Sequence, residues 1–321
     1  MMRALRYDEH LHLIHDEPAP TLDADEALIK VRLGGICHTD LELTRGYMNF
    51  RGVLGHEFVG EIVQGNDQWM KGTRVVGEIN IACQRCEYCL MGIPSQCLHR
   101  RTLGLFDYAG TFADQMKLPF ANLYAVPDSV PDNWAVFAEP LAAALQVIDQ
   151  VQIKPTMRVL LIGAGKLGLL IAQVLKHTGC DLSVIVRRDK PKRLLEKWGI
   201  PTIDSRSESL DSLRQSAHVV VEATGSEEGF ALALNSVRAR GTIVLKSTYA
   251  DLPRANLTKV VVDEIAVIGS RCGPFEPALR LMERRQVDVE SMIDGCYSLD
   301  HAEEAFALAA QSGVLKVLLQ P

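Results

Sequence analysis

Along the first part of the chain, apolar and polar residues alternate with a period of two in short runs, and further on the pattern changes. Residues 27–33 read Ala-Leu-Ile-Lys-Val-Arg-Leu, and residues 58–63 are rich in β-formers behind a glycine. Up to about residue 63 the chain therefore reads as short strands joined by turns. Residues 112–118 and 123–126 extend this β-rich region. Phe137-Ala138-Glu139-Pro140-Leu141 then opens a helical run over 142–148, with Pro140 suited to the first turn and Glu139 at the cap.

From Arg158 onward, apolar strands alternate with helical periodicity. Residues 159–162, 182–186, 217–222, 241–246 and 264–269 read as strands with helices between them, and a short edge strand falls near 201–204. About six strands in this alternation build a doubly wound parallel sheet, giving the α/β class. After Gly273 the alternation stops. A helix over 275–285, an amphipathic run over 302–311 and a strand over 314–319 are too short for a domain, so they are expected to rejoin the N-terminal one. The expected division is 1–141, 142–273 and a returning segment 274–321.

At 321 residues with 47% hydrophobic positions, the chain can bury two cores. Its aromatic share of 6% favours aliphatic α/β packing over a sandwich. A net charge of −6 with interspersed signs offers no basic face for nucleic acid or an anionic membrane. The apolar stretch 159–175 nearly has the length of a membrane span, but Lys166 and three glycines divide it into strand, loop and helix. Charges in Met-Met-Arg-Ala-Leu-Arg-Tyr-Asp-Glu-His occupy the place of a signal-peptide core, so a cytoplasmic protein is expected. There, eight cysteines point to metal rather than disulfides.

Cys83, Cys86, Cys89 and Cys97 are spaced Cys-x2-Cys-x2-Cys-x7-Cys. Four thiolates complete a tetrahedral zinc and leave no open position, which makes a structural site. An iron–sulfur cluster is the competing reading, but its bacterial run ends in proline where Leu98 stands here. A second set is looser: Cys37-His38-Thr39-Asp40, read as one loop, followed by Gly55-His56-Glu57. A cysteine thiolate and a histidine can bind zinc, and a hydroxyl two residues from the cysteine can pass a proton. Glu139, if not merely a cap, is a further candidate ligand.

Gly163-Ala164-Gly165-Lys166-Leu167-Gly168 is a GxGxxG loop between a strand and a helix, the context of a dinucleotide fingerprint in which glycines admit the pyrophosphate and the helix N-terminus receives its charge. The second strand of this unit runs into Arg187 and Arg188, with Asp189 one or two positions late for the ribose 2′-hydroxyl. Guanidinium groups suit a 2′-phosphate, so NADP(H) is expected, with NAD(H) the alternative if Asp189 swings in.

These motifs, with the closing Leu315-Lys316-Val317-Leu318, resemble over the whole length a zinc-containing member of the medium-chain dehydrogenase/reductase family. The resemblance implies a GroES-like β-rich catalytic domain, a Rossmann domain, an active site in the cleft between them, and hydride transfer between an alcohol or carbonyl substrate and a nicotinamide cofactor. Carried over by position, Cys37 and His56 are ligands of a catalytic zinc, and Asp40 orients His56. Glu139 stands where the alcohol dehydrogenases have a second cysteine, as in the sorbitol, glucose and threonine dehydrogenase branch. Glu57 or Glu139 then completes the shell. Thr39 belongs to a proton relay, and His38 sits where some relatives contact cofactor phosphate. Two zinc ions and a homo-oligomer, dimer or tetramer, are expected. A non-catalytic nucleotide-binding relative and a zinc-independent quinone or enone reductase are the alternatives, and neither needs Cys37, Thr39, His56 and Glu139 together.

Overall fold

The computed structural model describes residues 1–207, 209–249 and 253–321. They form two compact units, one of residues 1–139 and 275–321, the other of residues 140–274.

In the first unit the eleven-residue strand Glu26–Ile36 is the spine. One edge pairs antiparallel with Glu57–Gln64. The other edge is shared: Gln115–Pro119 takes its first half, and Lys316–Gln320 takes its second, with Val317 opposite Ile36. Ile293–Ser298 lies outside Lys316–Gln320 and runs parallel to it. A smaller sheet places Met2–Tyr7 between Leu11–Glu17 and Gly52–Val53. Leu5, Ile36, Leu54, Phe112, Phe306 and Val317 meet in one apolar cluster, which joins both sheets to the helix Ala302–Ala309. Glycine is obligatory at Gly35, where a Cβ would lie 2.5 Å from a Glu57 carboxylate oxygen and 2.8 Å from Val136. Its missing side chain gives the Glu57 carboxylate room beside the spine.

The second unit is a six-stranded parallel sheet in the order Thr202–Asp204, Asp181–Val186, Arg158–Ile162, Ala217–Glu222, Val237–Leu245, Ala266–Gly269. This is the doubly wound order expected from the alternation, with the short edge strand in its place. Val219, Val220 and Val221 are all buried, as befits a central parallel strand covered on both faces. The fifth strand starts at Val237, earlier than expected, because the helix Glu227–Ser236 ends directly in extended backbone.

Three local expectations need correction. The helix after Phe137 runs Ala138–Gln150, so Glu139 sits inside its first turn rather than at the cap. Pro140 is tolerated there because first-turn N–H groups have no intrahelical acceptor. Cys37 to Asp40 do not lie in a loop, since Cys37 is the N-cap of the short helix His38–Leu43. The strand expected from Phe112 begins at Gln115, because the Phe112 backbone is committed to two other segments: its N–H donates to Leu54 and its carbonyl accepts from Leu5.

Candidate active site

Asp40 ties the candidate metal ligands to one another. Its Oδ2 accepts the Cys37 backbone N–H at 2.8 Å, and its Oδ1 lies 3.3 Å from His56 Nδ1, with both side chains buried. A carboxylate on one ring nitrogen fixes the tautomer and leaves Nε2 as the free electron-pair donor, the usual arrangement behind a ligating histidine. Burial works to lower the His56 pKa, yet Asp40 and the Cys37 sulfur together hold it well above the ordinary histidine value. The position attracts positive charge, as a cation site should.

Cys37, His56 and Glu57 each offer a ligand atom, and these atoms lie within 4.8 Å of one another. Thiolate, imidazole and carboxylate are the donors zinc accepts, so the residues fit the ion. Thr39 Oγ1 lies 3.9 Å from Cys37 Sγ. Glu139 is half-buried; burial, aided by Glu57 and Glu78, pushes its pKa up to about 7 against the pull of His56 and Lys316. His38 points elsewhere, exposed and 3.5 Å from Glu42.

One charged group escaped the sequence reading. Lys316 is almost fully buried and donates to Glu57 Oε2, a partner 259 residues away. Burial opposes its charge, but Glu57, Cys37 and Glu139 hold its pKa above the ordinary lysine value. The signal was present as a lone lysine in the apolar run Leu315-Lys316-Val317-Leu318, and nothing local says which carboxylate meets it.

The four clustered cysteines converge as well. Cys86 Sγ lies 3.5 Å from Cys89 Sγ and 3.8 Å from Cys97 Sγ. Zinc–sulfur bonds of about 2.3 Å in a tetrahedron set sulfurs about 3.8 Å apart, so the group fits a zinc ion. Backbone N–H groups of Cys83 and His99 donate to Cys97 Sγ, and those of Cys89 and Leu98 lower Cys86 to about 6. These donors suit thiolates rather than thiols.

In the second unit, Gly163 takes φ +102, and a Cβ on Gly168 would lie 2.0 Å from the Gly163 carbonyl oxygen. Gly165, N-cap of the helix Lys166–Lys176, has open space where its side chain would be and no side-chain cap over the first-turn N–H groups. Two glycines thus set the tight turn and the close helix packing, and the third leaves donors facing free space: a fit for a pyrophosphate. Lys166 and Leu167 open that helix. Arg187 and Arg188 are exposed beyond the strand Asp181–Val186 and make no ion pair among the described residues.

A model of the alcohol dehydrogenase GroES-like domain matches residues 23–128, and one of the glucose dehydrogenase C-terminus matches residues 133–320. D-arabinitol dehydrogenase 1 of Uromyces fabae is 30% identical over 100% of this chain and 97% of its own. The chain belongs to the zinc-containing medium-chain dehydrogenase/reductase family. A sorbitol dehydrogenase of Halalkalibacterium halodurans is 30% identical over 96% of this chain and 95% of its own. Among solved structures, a zinc-binding dehydrogenase of Sinorhizobium meliloti bound to NADP superposes with a TM-score of 0.91 at 28% identity, covering 100% of this chain and 99% of that one. As a medium-chain dehydrogenase, the protein is an alcohol dehydrogenase-like oxidoreductase that uses zinc and NAD(P). No helix among the described residues is long and apolar enough to cross a membrane.

The buried Lys316–Glu57 pair yields a stability test. In protein stripped of metal, Lys316→Met strands a buried carboxylate and should cost about 3–5 kcal/mol in urea unfolding, and adding Glu57→Gln should recover most of it. Equal loss in the single and double variants would mean that the pair's charges do not depend on each other.

Proposed function

We propose that the protein is a zinc-dependent polyol dehydrogenase with two zinc ions per chain and a preference for NADP(H). The observation that carries this reading is the convergence of half-buried Cys37 with buried His56 and Glu57 beside the Thr39 hydroxyl. Polyol as the substrate class rests on the arabinitol and sorbitol dehydrogenases that resemble the chain along its full length. A binding module would have no use for a buried, partly charged ligand set of this kind.

Cys37, His56 and Glu57 would hold the catalytic zinc, with Glu57 paired to Lys316, while Glu139, its pKa raised to about 7 by burial, stands nearby. Cys83, Cys86, Cys89 and Cys97 hold the second ion. Bound zinc supplies a Lewis acid toward a substrate oxygen, and bound NADP supplies the hydride acceptor. Asp40 would keep His56 oriented, and the Thr39 hydroxyl would accept the substrate's hydroxyl proton while releasing its own to solvent. The first turn of Lys166–Lys176, with Gly163, Gly165 and Gly168, receives the pyrophosphate, and Arg187 and Arg188 receive the 2′-phosphate. The protein works in the cytoplasm as a homodimer or larger assembly. For the dimer the observation is the sheet edge Ala266–Gly269, paired on one side only among the described residues and carrying exposed Val267, with exposed Leu257, Val261 and Val262 in the helix before it. Such an edge complements a second copy of itself.

Metal analysis should return about two zinc ions per chain, one lost in Cys83→Ser and the other in His56→Ala or Glu57→Gln. Retention of both ions in Glu57→Gln, with loss in Glu139→Gln, would transfer the third ligand to Glu139. Assayed with polyols and NADP, Thr39→Val should lower kcat about 100-fold at unchanged zinc content; wild-type turnover in that variant would end the relay assignment. Light scattering should find a dimer or larger assembly that Val261→Glu/Val262→Glu splits into monomers, and a monomeric wild type would remove this interface.

A further inference from the structure

Beyond the end of the second parallel strand lies a charge network that the fingerprint does not predict. Arg206 forks onto Asp204, with Nε 2.9 Å from Oδ1 and Nη2 2.7 Å from Oδ2, and the same Nη2 lies 2.6 Å from Asp189 Oδ1. The Arg206 backbone N–H also donates to Asp204 Oδ1 at 3.1 Å, and Lys192 Nζ reaches Asp204 Oδ2 at 3.4 Å. Asp204 ends the edge strand, pairs in register with Val186 and has a side chain only 5% exposed. Asp189 is the first residue of the helix Asp189–Lys197 and is two-thirds exposed.

An exposed ion pair between two mobile side chains contributes little, because ordering both of them cancels the attraction. Arg206 differs, since its guanidinium is already immobilised by the two-pronged contact with Asp204, and Asp189 meets a fixed donor. Arg206 correspondingly holds the Asp189 carboxyl below the usual carboxylate range. In a dinucleotide fold, an acid beyond this strand selects NAD by accepting from the ribose hydroxyl, and it repels a 2′-phosphate. Here Asp189, just beyond that strand, has its charge offset and its Oδ1 occupied, while Arg187 and Arg188 are unpaired among the described residues.

We propose that Arg206 is a positioning residue for coenzyme choice: braced on Asp204, it pins Asp189 away from the adenosine ribose and so keeps the site selective for the 2′-phosphorylated coenzyme. This rests on the NADP(H) reading above and concerns a residue that need not touch the coenzyme.

Equilibrium dissociation constants for NADPH and NADH, read by coenzyme fluorescence on the full chain, test it without turnover. The quantity followed is Kd(NADH)/Kd(NADPH). Arg206→Ala should lower this ratio about tenfold by freeing the Asp189 charge. Asp189→Ala alone should change it less than about twofold, and Arg206→Ala/Asp189→Ala should return it to within about twofold of wild type. Arg206→Lys keeps a cation for Asp204 but loses the fork. It should shift the ratio in the same direction as Arg206→Ala, and thermal unfolding identifies any variant that fails to fold. Three outcomes overturn the pin: an unchanged ratio in Arg206→Ala, a loss that persists in the double variant (Arg206 then meets the phosphate itself), or a large rise in Asp189→Ala alone (Asp189 then already reaches the ribose). A wild-type ratio below one would overturn the NADP(H) reading instead, and the double-variant comparison would still decide the pin, because it follows changes from whatever the wild-type ratio is.

Discussion

A lysine buried to 3% exposure inside an apolar strand keeps its charge only if a carboxylate is brought to it, and in this protein the carboxylate is Glu57. Their meeting depends on one register. Val317 faces Ile36 across one edge of the spine, and Gly35 faces Glu57 across the other, so Lys316 and Glu57 approach over a glycine that leaves them room. A slip by one residue would turn Lys316 to the opposite face and leave two unpaired charges in the core. The buried pair therefore penalises every misregistered pairing of that strand. It also holds Glu57 beside His56, so the candidate metal ligands and the sheet are positioned by the same hydrogen-bonded frame.

The candidate metal ligands come from two short segments at one end of that frame. Cys37 follows the last residue of the spine, Glu57 opens the neighbouring strand and His56 precedes it. Asp40, one turn into the helix that Cys37 caps, reaches back to both. One buried carboxylate thus does the orienting that two separate contacts would otherwise need.

Much of this was legible in the sequence, for particular reasons. The parallel sheet announced itself through runs such as Ala-His-Val-Val-Val-Glu at Ala217–Glu222, where burial on both faces demands continuous apolar residues. The four-cysteine lobe and the GxGxxG loop are local: their spacing is their geometry. What could not be read was set by distance along the chain. Lys316 and Glu57 become partners only through sheet register, and the grip of Arg206 on Asp189 needs a strand, a turn and a helix to be in place together. Glu139 was misplaced for a smaller reason, since a proline is as acceptable at the third helical residue as at the first, and the sequence does not mark which of them begins the turn.

The spine strand takes half of one edge from residues synthesised long after it. Lys316 leaves the ribosome 259 residues after Glu57, which at about 5–20 residues per second is roughly 13–50 s. For that interval Glu57 lacks the lysine that pairs with it and the spine lacks half of one edge, while the second unit, continuous from residue 140 to residue 274, has all its own strands in hand. Biosynthesis thus leaves the carboxylate of Glu57 without its buried counter-charge until the last strand arrives, and the register that joins them is the final one the chain can set.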